Sequence, residues 1–138
     1  MVQQSNVQVD PITTQVIRNG LIAAASEMQL TMKKTAFNPL LYEMQDFGVG
    51  LMKAQGESLA QGTSIPTFVG CLPSVIKNGL KKFGPADLQS GDIILANDPY
   101  STGTHISDTT VYMPIFCDDE LQGFAINMAH WADVGGTL

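Results

Sequence analysis

The stretch TTVYMPIFCDDELQGFAINM at residues 109–128 decides the fold. Its first part, residues 109–116, is rich in β-branched and aromatic side chains, which favour an extended strand. The polar residues at 117–120 supply a turn, and residues 121–128 can return as the partner strand. The pattern therefore predicts an antiparallel β-hairpin.

Both histidines of the chain flank this hairpin, and each is followed three residues later by an aspartate. His105 and Asp108 lie in the loop that enters the first strand, whereas His130 and Asp133 follow the second strand. Antiparallel neighbours place the start of one strand beside the end of the other, so the two segments are expected to meet. Because two imidazoles and carboxylates are a common ligand set for a catalytic divalent metal, the pattern predicts a metal site there.

The same residues have a plainer interpretation, in which each histidine is an ordinary loop residue that hydrogen-bonds to backbone carbonyls. Asp133 is either a metal ligand or an acceptor that fixes the tautomer of His130. Ser101 and Thr104 lie close to His105 in sequence, but no G-x-S-x-G motif accompanies them, which disfavours nucleophilic catalysis. Trp131 either walls a substrate pocket or simply packs.

The remaining segments predict a mixture of helices and strands. Apolar residues recur at helical spacing over residues 10–35, after a capping Asp10 and before Asn38-Pro39, which is expected to end the helix. A second helix is predicted at residues 73–82. Three more strands are predicted, at residues 47–52, 58–61 and 91–96, and the last of them is expected to be short and buried. The expected fold class is α+β, with N-terminal helices packed on a mainly antiparallel sheet.

Composition limits the class of protein. The chain has 138 residues, of which 44% are hydrophobic and 14% charged, which suits one globular domain with more protein over part of its surface. The net charge of −6 and the absence of a basic stripe argue against a nucleic-acid partner. No apolar run approaches the ~20 residues that span a bilayer, and no secretory signal is visible. We therefore expect no membrane insertion, a cytoplasmic location, and reduced thiols at Cys71 and Cys117.

Phosphate-binding and thiol chemistry are poorly supported by the sequence. No G-x-x-x-x-G-K-[ST] motif is present, so the chain is not expected to bind ATP through a phosphate loop of its own. Cys71 precedes the predicted second helix, and it is interpreted as a buried structural residue because nothing else marks it as a reactive thiolate.

Several blocks of the sequence resemble, in the same order, the hydantoinase B/oxoprolinase family. They are DPITTQVIRN at residues 10–19, EMQDFG at 43–48, GDIILANDPY at 91–100, GTHISD at 103–108 and AHWADVGG at 129–136. Together they are highly specific and cover nearly the whole chain. Members of this family are several hundred residues long. The resemblance therefore implies that residues 1–138 are the N-terminal segment of a larger, multi-domain B-type catalytic subunit, either truncated or naturally split.

The resemblance implies a two-part, ATP-dependent enzyme. A hydantoinase A-type partner subunit binds ATP and Mg and phosphorylates the oxygen of an amide, lactam or ketone, and the B-type subunit then acts on the activated species at a divalent metal. The implied ligands are Asp46, His105, Asp108 and His130, the last three being the catalytic residues. Zinc suits a mixed nitrogen–oxygen hydrolytic site, and manganese suits a more carboxylate-rich one. The remaining C-terminal part of the B-type subunit and the A-type subunit are the expected partners in a hetero-oligomer.

The segments 103–105 and 131–136 are closer to the hydrolase pattern of the family than to that of acetone carboxylase. The expected reaction is therefore the opening of a cyclic amide such as a hydantoin, 5-oxoproline or a lactam. One alternative is a component of a ketone carboxylase of the acetone or acetophenone type, and another is a non-catalytic assembly fragment. Two departures from the family pattern bear on substrate choice: residues 101–103 lack the usual second glycine, and Trp131 stands where histidine is frequent.

Overall fold

The computed structural model of the chain describes residues 10–102 and 104–136. Its four helices are α1 (Pro11–Thr35), α2 (Pro39–Tyr42), α3 (Pro66–Phe83) and α4 (Pro99–Thr102), with one 3-10 turn at Pro85–Asp87. Its five strands are β1 (Phe47–Lys53), β2 (Ser58–Gln61), β3 (Ile94–Ala96), β4 (Asp108–Cys117) and β5 (Glu120–His130). Among these residues, no helix is long and apolar enough to cross a membrane.

The five strands form one sheet in the order β2-β1-β5-β4-β3, in which every neighbouring pair is antiparallel. The predicted hairpin is confirmed as β4 and β5. Asp118 and Asp119 connect these strands with φ angles of 50° and 62°, the positive values that a two-residue hairpin turn matching the strand twist requires. Both strands extend beyond the predicted limits, so His130 lies on the end of β5 and Asp108 on the start of β4.

Helices cover the two faces of the sheet. Successive side chains of β1 point to opposite faces, so Phe47 and Leu51 pack towards α1 and α2 whereas Met52 packs towards α3. The larger core lies between α3 and the sheet and contains Met52, Phe68, Leu72, Val75, Ile76, Tyr112, Phe124, Ile126 and Met128. The α+β class with helices packed on an antiparallel sheet is thereby confirmed.

Helix α3 begins at Pro66, earlier than the predicted start at residue 73. Pro73 lies inside the helix, where it cannot donate a backbone hydrogen bond, at a cost of about 3 kcal/mol. The apolar pattern nevertheless continues through it, because Phe68 and Leu72 are buried against the sheet on the same face as Val75 and Ile76. Burial of side chains before the proline outweighs the local preference for a helix start at the proline.

Two further expectations need correction. The Asn38-Pro39 pair is expected to end the first helix, but α1 already ends at its C-cap, Ala36. Asn38 instead begins α2 as its N-cap, and its side-chain oxygen accepts the Leu40 N–H. The third strand, predicted at residues 91–96 as a buried strand, is short and lies at the sheet edge, where the side chain of Leu95 is 62% exposed.

The N-terminal half of α1 extends beyond the sheet. Its side chains at Ile12, Val16 and Ile17 are 75%, 65% and 56% exposed, whereas Ala25 in the second half is fully buried. A helix of this length spans about 37 Å, and the strand that it crosses, β1, spans about 23 Å. The helix was predicted correctly, but only part of its apolar face is covered in the described structure.

Candidate metal centre

The register of the sheet brings the histidine–aspartate segments together at one end. Asp108 and His130 are direct partners on β4 and β5, so their side chains share a face of the sheet. On the other side of β5, β1 begins at Phe47, and the His130 N–H donates to the carbonyl oxygen of Asp46 at 3.1 Å. The predicted convergence of the two segments at one end of the hairpin is therefore observed.

Asp108 is the centre of the cluster, and its carboxylate contacts both histidines. Its Oδ1 lies 2.7 Å from His130 Nδ1, and its Oδ2 accepts the backbone N–H of His105 at 2.8 Å. The His105 Nδ1 is 3.6 Å from Oδ2, and the two imidazole rings stand nearly perpendicular with centroids 6.1 Å apart. Asp108 is 4% exposed, whereas the side chains of His130 and His105 are 29% and 82% exposed. A buried carboxylate thus holds the ring of His130 and the backbone of His105, and both imidazoles are more accessible than the carboxylate.

These residues fit a divalent cation by their donor chemistry and spacing. One potential ligand atom from each of His105, Asp108 and His130 lies within 4.8 Å of the others. Neighbouring ligands of a tetrahedral zinc are about 3.4 Å apart, so the ring of His105 must approach its partners slightly. That side chain is the most exposed of the three, which leaves it free to rotate.

Asp46 lies at the edge of the same cavity, just before β1. Its N–H donates to the carbonyl oxygen of Leu40 at 2.9 Å, and the preceding Gln45 has a φ of 54°, which is unusual for a residue other than glycine. This turn brings Asp46 to the cavity, although the close group consists of the other three residues only. Spacing along the sequence does not mark Asp46 as a metal ligand, whereas the family resemblance implies that it is one.

The cavity has a volume of about 290 Å³. The end of the sheet forms one wall, and the start of helix α3 forms the second wall. Its lining residues are Asp46, Ile65, Thr67, Phe68, Thr104, His105, Asp108 and His130. The start of α3 can lie this close to the sheet because β1 has glycine at position 48, where a Cβ would be 2.8 Å from the Cβ of Phe68. The contribution of residues 65–68 was not predicted, since the expected helix start was residue 73.

Three other candidate residues lie outside this cluster. Asp133 is exposed and its carboxylate accepts the Gly135 N–H at 2.7 Å, so the contact to His130 Nδ1 comes from Asp108 instead. Trp131 is 39% exposed and is not among the residues that line the cavity.

The Ser101 hydroxyl donates to the carbonyl oxygen of Asp98 and also lies outside the cavity lining. Thr104 does line the cavity, and its hydroxyl is 2.7 Å from that of Thr102.

Cys71 lies near the cluster without the properties of a nucleophile. Burial of the thiol, and secondarily the negative charge of Asp108, raise the pKa of Cys71 above its ordinary value. A raised pKa keeps the thiol protonated at neutral pH, whereas a reactive cysteine requires the thiolate. The interpretation of Cys71 as a structural residue is supported by this environment. Cys117, like Cys71, is a free thiol, as expected.

Comparison with known proteins identifies the family of the chain. The family described as Hydantoinase B/oxoprolinase matches residues 10–138. The caprolactamase subunit beta of Pseudomonas jessenii is 36% identical over 130 residues, which are 94% of this chain and 22% of that protein. This chain therefore spans about a fifth of the length of that relative.

Two solved structures share the fold. The crystal structure of ATP-dependent caprolactamase from Pseudomonas jessenii superposes with a TM-score of 0.82 and 34% identity, over 95% of this chain and 22% of that one. The nucleotide-free structure of acetone carboxylase gives a TM-score of 0.78 and 27% identity, over 88% of this chain and 16% of that one. From the family match and these likenesses, we conclude that this chain belongs to the hydantoinase B/oxoprolinase family.

Proposed function

We propose that this chain provides the metal-binding part of an ATP-dependent hydrolase that opens a cyclic amide. The observation that carries the proposal is the cluster of His105, Asp108 and His130 at one end of a cavity with an apolar opposite wall. The relatives named as caprolactamase and putative hydantoinase subunits support the same class of reaction.

The protein's own residues would prepare the site in two ways. Asp108 orients the ring of His130 through Nδ1 and fixes the His105 loop through its backbone N–H, so one buried carboxylate anchors both histidine-bearing segments. Asp46 adds a second carboxylate at the cavity edge. A zinc or manganese ion bound there would lower the pKa of a coordinated water and polarise a carbonyl or phosphoryl oxygen.

The shape of the cavity suits a small ring with one polar edge. Ile65 and Phe68 provide apolar contact for ring carbons, while the His105–Asp108–His130 side faces the amide group. In the proposed reaction, water adds to the phosphorylated amide carbon, and the ring C–N bond breaks to release the amine and leave an acyl phosphate. A second water then hydrolyses the acyl phosphate to the carboxylate and inorganic phosphate. The products are a carboxylate, an amine that takes up a proton, and inorganic phosphate.

The proposed enzyme needs further protein. We assign ATP and Mg binding and the phosphorylation step to a hydantoinase A-type partner subunit, and the rest of the reaction chamber to the remaining C-terminal part of a B-type subunit. Support comes from the relative named as subunit beta and from the solved caprolactamase described as ATP-dependent. Residues 1–138 would then be the N-terminal segment of the B-type subunit in a hetero-oligomer.

A ketone carboxylase is the second candidate function, because the acetone carboxylase structure shares this fold at 27% identity. In that reaction the same residues would face an activated ketone and carbon dioxide instead of a ring amide. Turnover assays of the complex with its A-type partner and ATP separate the two candidates. Lactam-dependent release of amino acid supports the hydrolase, and incorporation of labelled bicarbonate into a ketone supports the carboxylase.

Metal content tests the site directly. Elemental mass spectrometry of the purified complex should find about one zinc or manganese per chain, and His130→Ala should lose it. Asp133→Asn is the matched control, because Asp133 is in the same segment but is exposed and bonded to Gly135. An active complex without metal would overturn the proposed chemistry, and an inactive chain without metal would support a non-catalytic assembly role.

A further inference from the structure

A second cavity, of about 360 Å³, lies between α3 and the β3–α4 side of the sheet. It shares no lining residue with the metal cavity. Its lining is mixed, with an apolar part formed by Val75 on α3 and by Ile94 and Ala96 on β3. Asn78 links α3 to α4, because its side-chain amide donates to the carbonyl oxygen of Ser101 at 2.8 Å. The cavity is thus part of the folded structure and is large enough for a small organic molecule.

Tyr112 lines this cavity with a buried side chain, and its hydroxyl lies beside Gly79, which is part of the same lining. Tyr112 is 3% exposed, and its ring packs edge-on against Phe124 with centroids 5.9 Å apart. Gly79 makes room for it, since a Cβ at that position would overlap the Tyr112 hydroxyl. Burial raises the pKa of this phenol. The phenol therefore stays protonated at neutral pH and can donate a hydrogen bond.

Lys82 adds a positive charge to the same cavity. It follows Gly79 by three residues on α3, so both positions lie on one face of the helix. Its Nζ is 5.4 Å from the centroid of the Phe83 ring, which is also part of the lining. Of the described residues that line the cavity, Lys82 is the single cation. The lining of this cavity therefore combines a buried phenol, an ammonium group and apolar side chains.

We propose that this cavity binds a small carboxylate with a short apolar body. The carboxylate oxygens would accept from the Tyr112 hydroxyl and the Lys82 ammonium, and the hydrocarbon part would lie against Val75 and Ile94. Asp98 also lines the cavity, but one of its carboxylate oxygens accepts the Tyr100 N–H at 3.0 Å. The inference stands on the residues of this cavity and is independent of the reaction at the metal.

Ligand-observed NMR titration of the intact protein with butanoate tests the proposal. Saturable binding is expected, and Tyr112→Phe and Lys82→Gln should each raise the Kd about tenfold through loss of a charge-assisted hydrogen bond. Lys81→Gln is the matched control, because Lys81 is the adjacent lysine of α3 but is not part of the lining. Lys82 is exposed, so its variant remains informative if Tyr112→Phe does not fold.

Three results would overturn the proposal. The first is no saturable binding of butanoate, and the second is equal binding by the wild type and both variants. The third is preferential binding of butylamine that is lost in Asp98→Asn, which would make the cavity an amine site instead.

Discussion

Asp108 connects the two halves of the candidate site. A carboxylate that is 4% exposed would be poorly solvated on its own, but each of its oxygens has a partner, one on the His130 ring and one on the His105 backbone. The same two contacts fix the ring of His130 and the backbone of His105. Removing the charge should therefore weaken metal binding even where the shape of the side chain is kept.

Asp108→Asn should lower the affinity for zinc or manganese about 10- to 100-fold, the usual effect of removing a ligand-orienting group. Competition with a coloured chelator measures the affinity, and Asp133→Asn serves as the control. Unchanged affinity in Asp108→Asn would show that the carboxylate neither binds the metal nor orients its ligands.

The two histidines should differ in their contribution to stability. His105→Ala should change the unfolding free energy of the metal-free protein by less than about 0.5 kcal/mol, because the side chain is 82% exposed. His130→Ala should cost about 1–3 kcal/mol, since it leaves Oδ1 of the buried Asp108 carboxylate without its partner. Urea unfolding in the presence of chelator measures both, and both variants should lose the metal. Full activity in either variant would contradict the site assignment.

The two cysteines should differ in their reaction with alkylating agents. Cys71 is half-buried and its pKa is raised, whereas Cys117 is exposed at the end of β4. At pH 8 iodoacetamide should therefore modify Cys117 before Cys71, as followed by intact-mass spectrometry with Cys117→Ser as the reference. Faster modification of Cys71 would mean that the thiol is more acidic than its surroundings indicate.

At the scale of elements, the approach of α3 to β1 determines the second wall of the metal cavity. Gly48→Ala places a methyl group 2.8 Å from the Phe68 Cβ, and the helix must move away from the sheet. We expect a loss of about 1–3 kcal/mol in unfolding free energy, together with weaker metal binding.

Gly70→Ala is the control for this substitution. Gly70 is also in α3, but nothing lies within 4 Å of the position that its Cβ would take. Alanine there should stabilise the helix by up to about 1 kcal/mol. Thermal unfolding of the two variants compares them, and equal stabilities would mean that α3 is not closely packed on Gly48.

At the scale of the whole molecule, some apolar side chains are buried in the core and others are exposed on α1. Phe124 is fully buried, so Phe124→Ala should cost about 3–5 kcal/mol of unfolding free energy. Ile12→Gln and Val16→Gln, on the exposed half of α1, should each stay within about 0.5 kcal/mol of the wild-type chain. Chemical denaturation of residues 1–138 measures all three. A large loss in the α1 variants would mean that this half of the helix is covered in solution.

The sequence alone was sufficient for the elements with strong local patterns. A segment rich in β-branched and aromatic residues, followed by a polar turn, predicted the β4–β5 hairpin, and helical spacing after Asp10 predicted α1. Antiparallel geometry then predicted that His105 and His130 meet, because strand pairing places the two ends of a hairpin together. These signals are local, so no knowledge of distant contacts was needed.

Only the tertiary structure decided which distant segments complete the site. The pairing of β1 with β5 brings Asp46 beside His130, and close packing of α3 on Gly48 brings Phe68 to the cavity. It also decided that Asp108, and not Asp133, holds His130. Strand register and helix packing are set by burial summed over the whole core. Spacing along the chain therefore identified the histidines, while the walls around them depended on the fold.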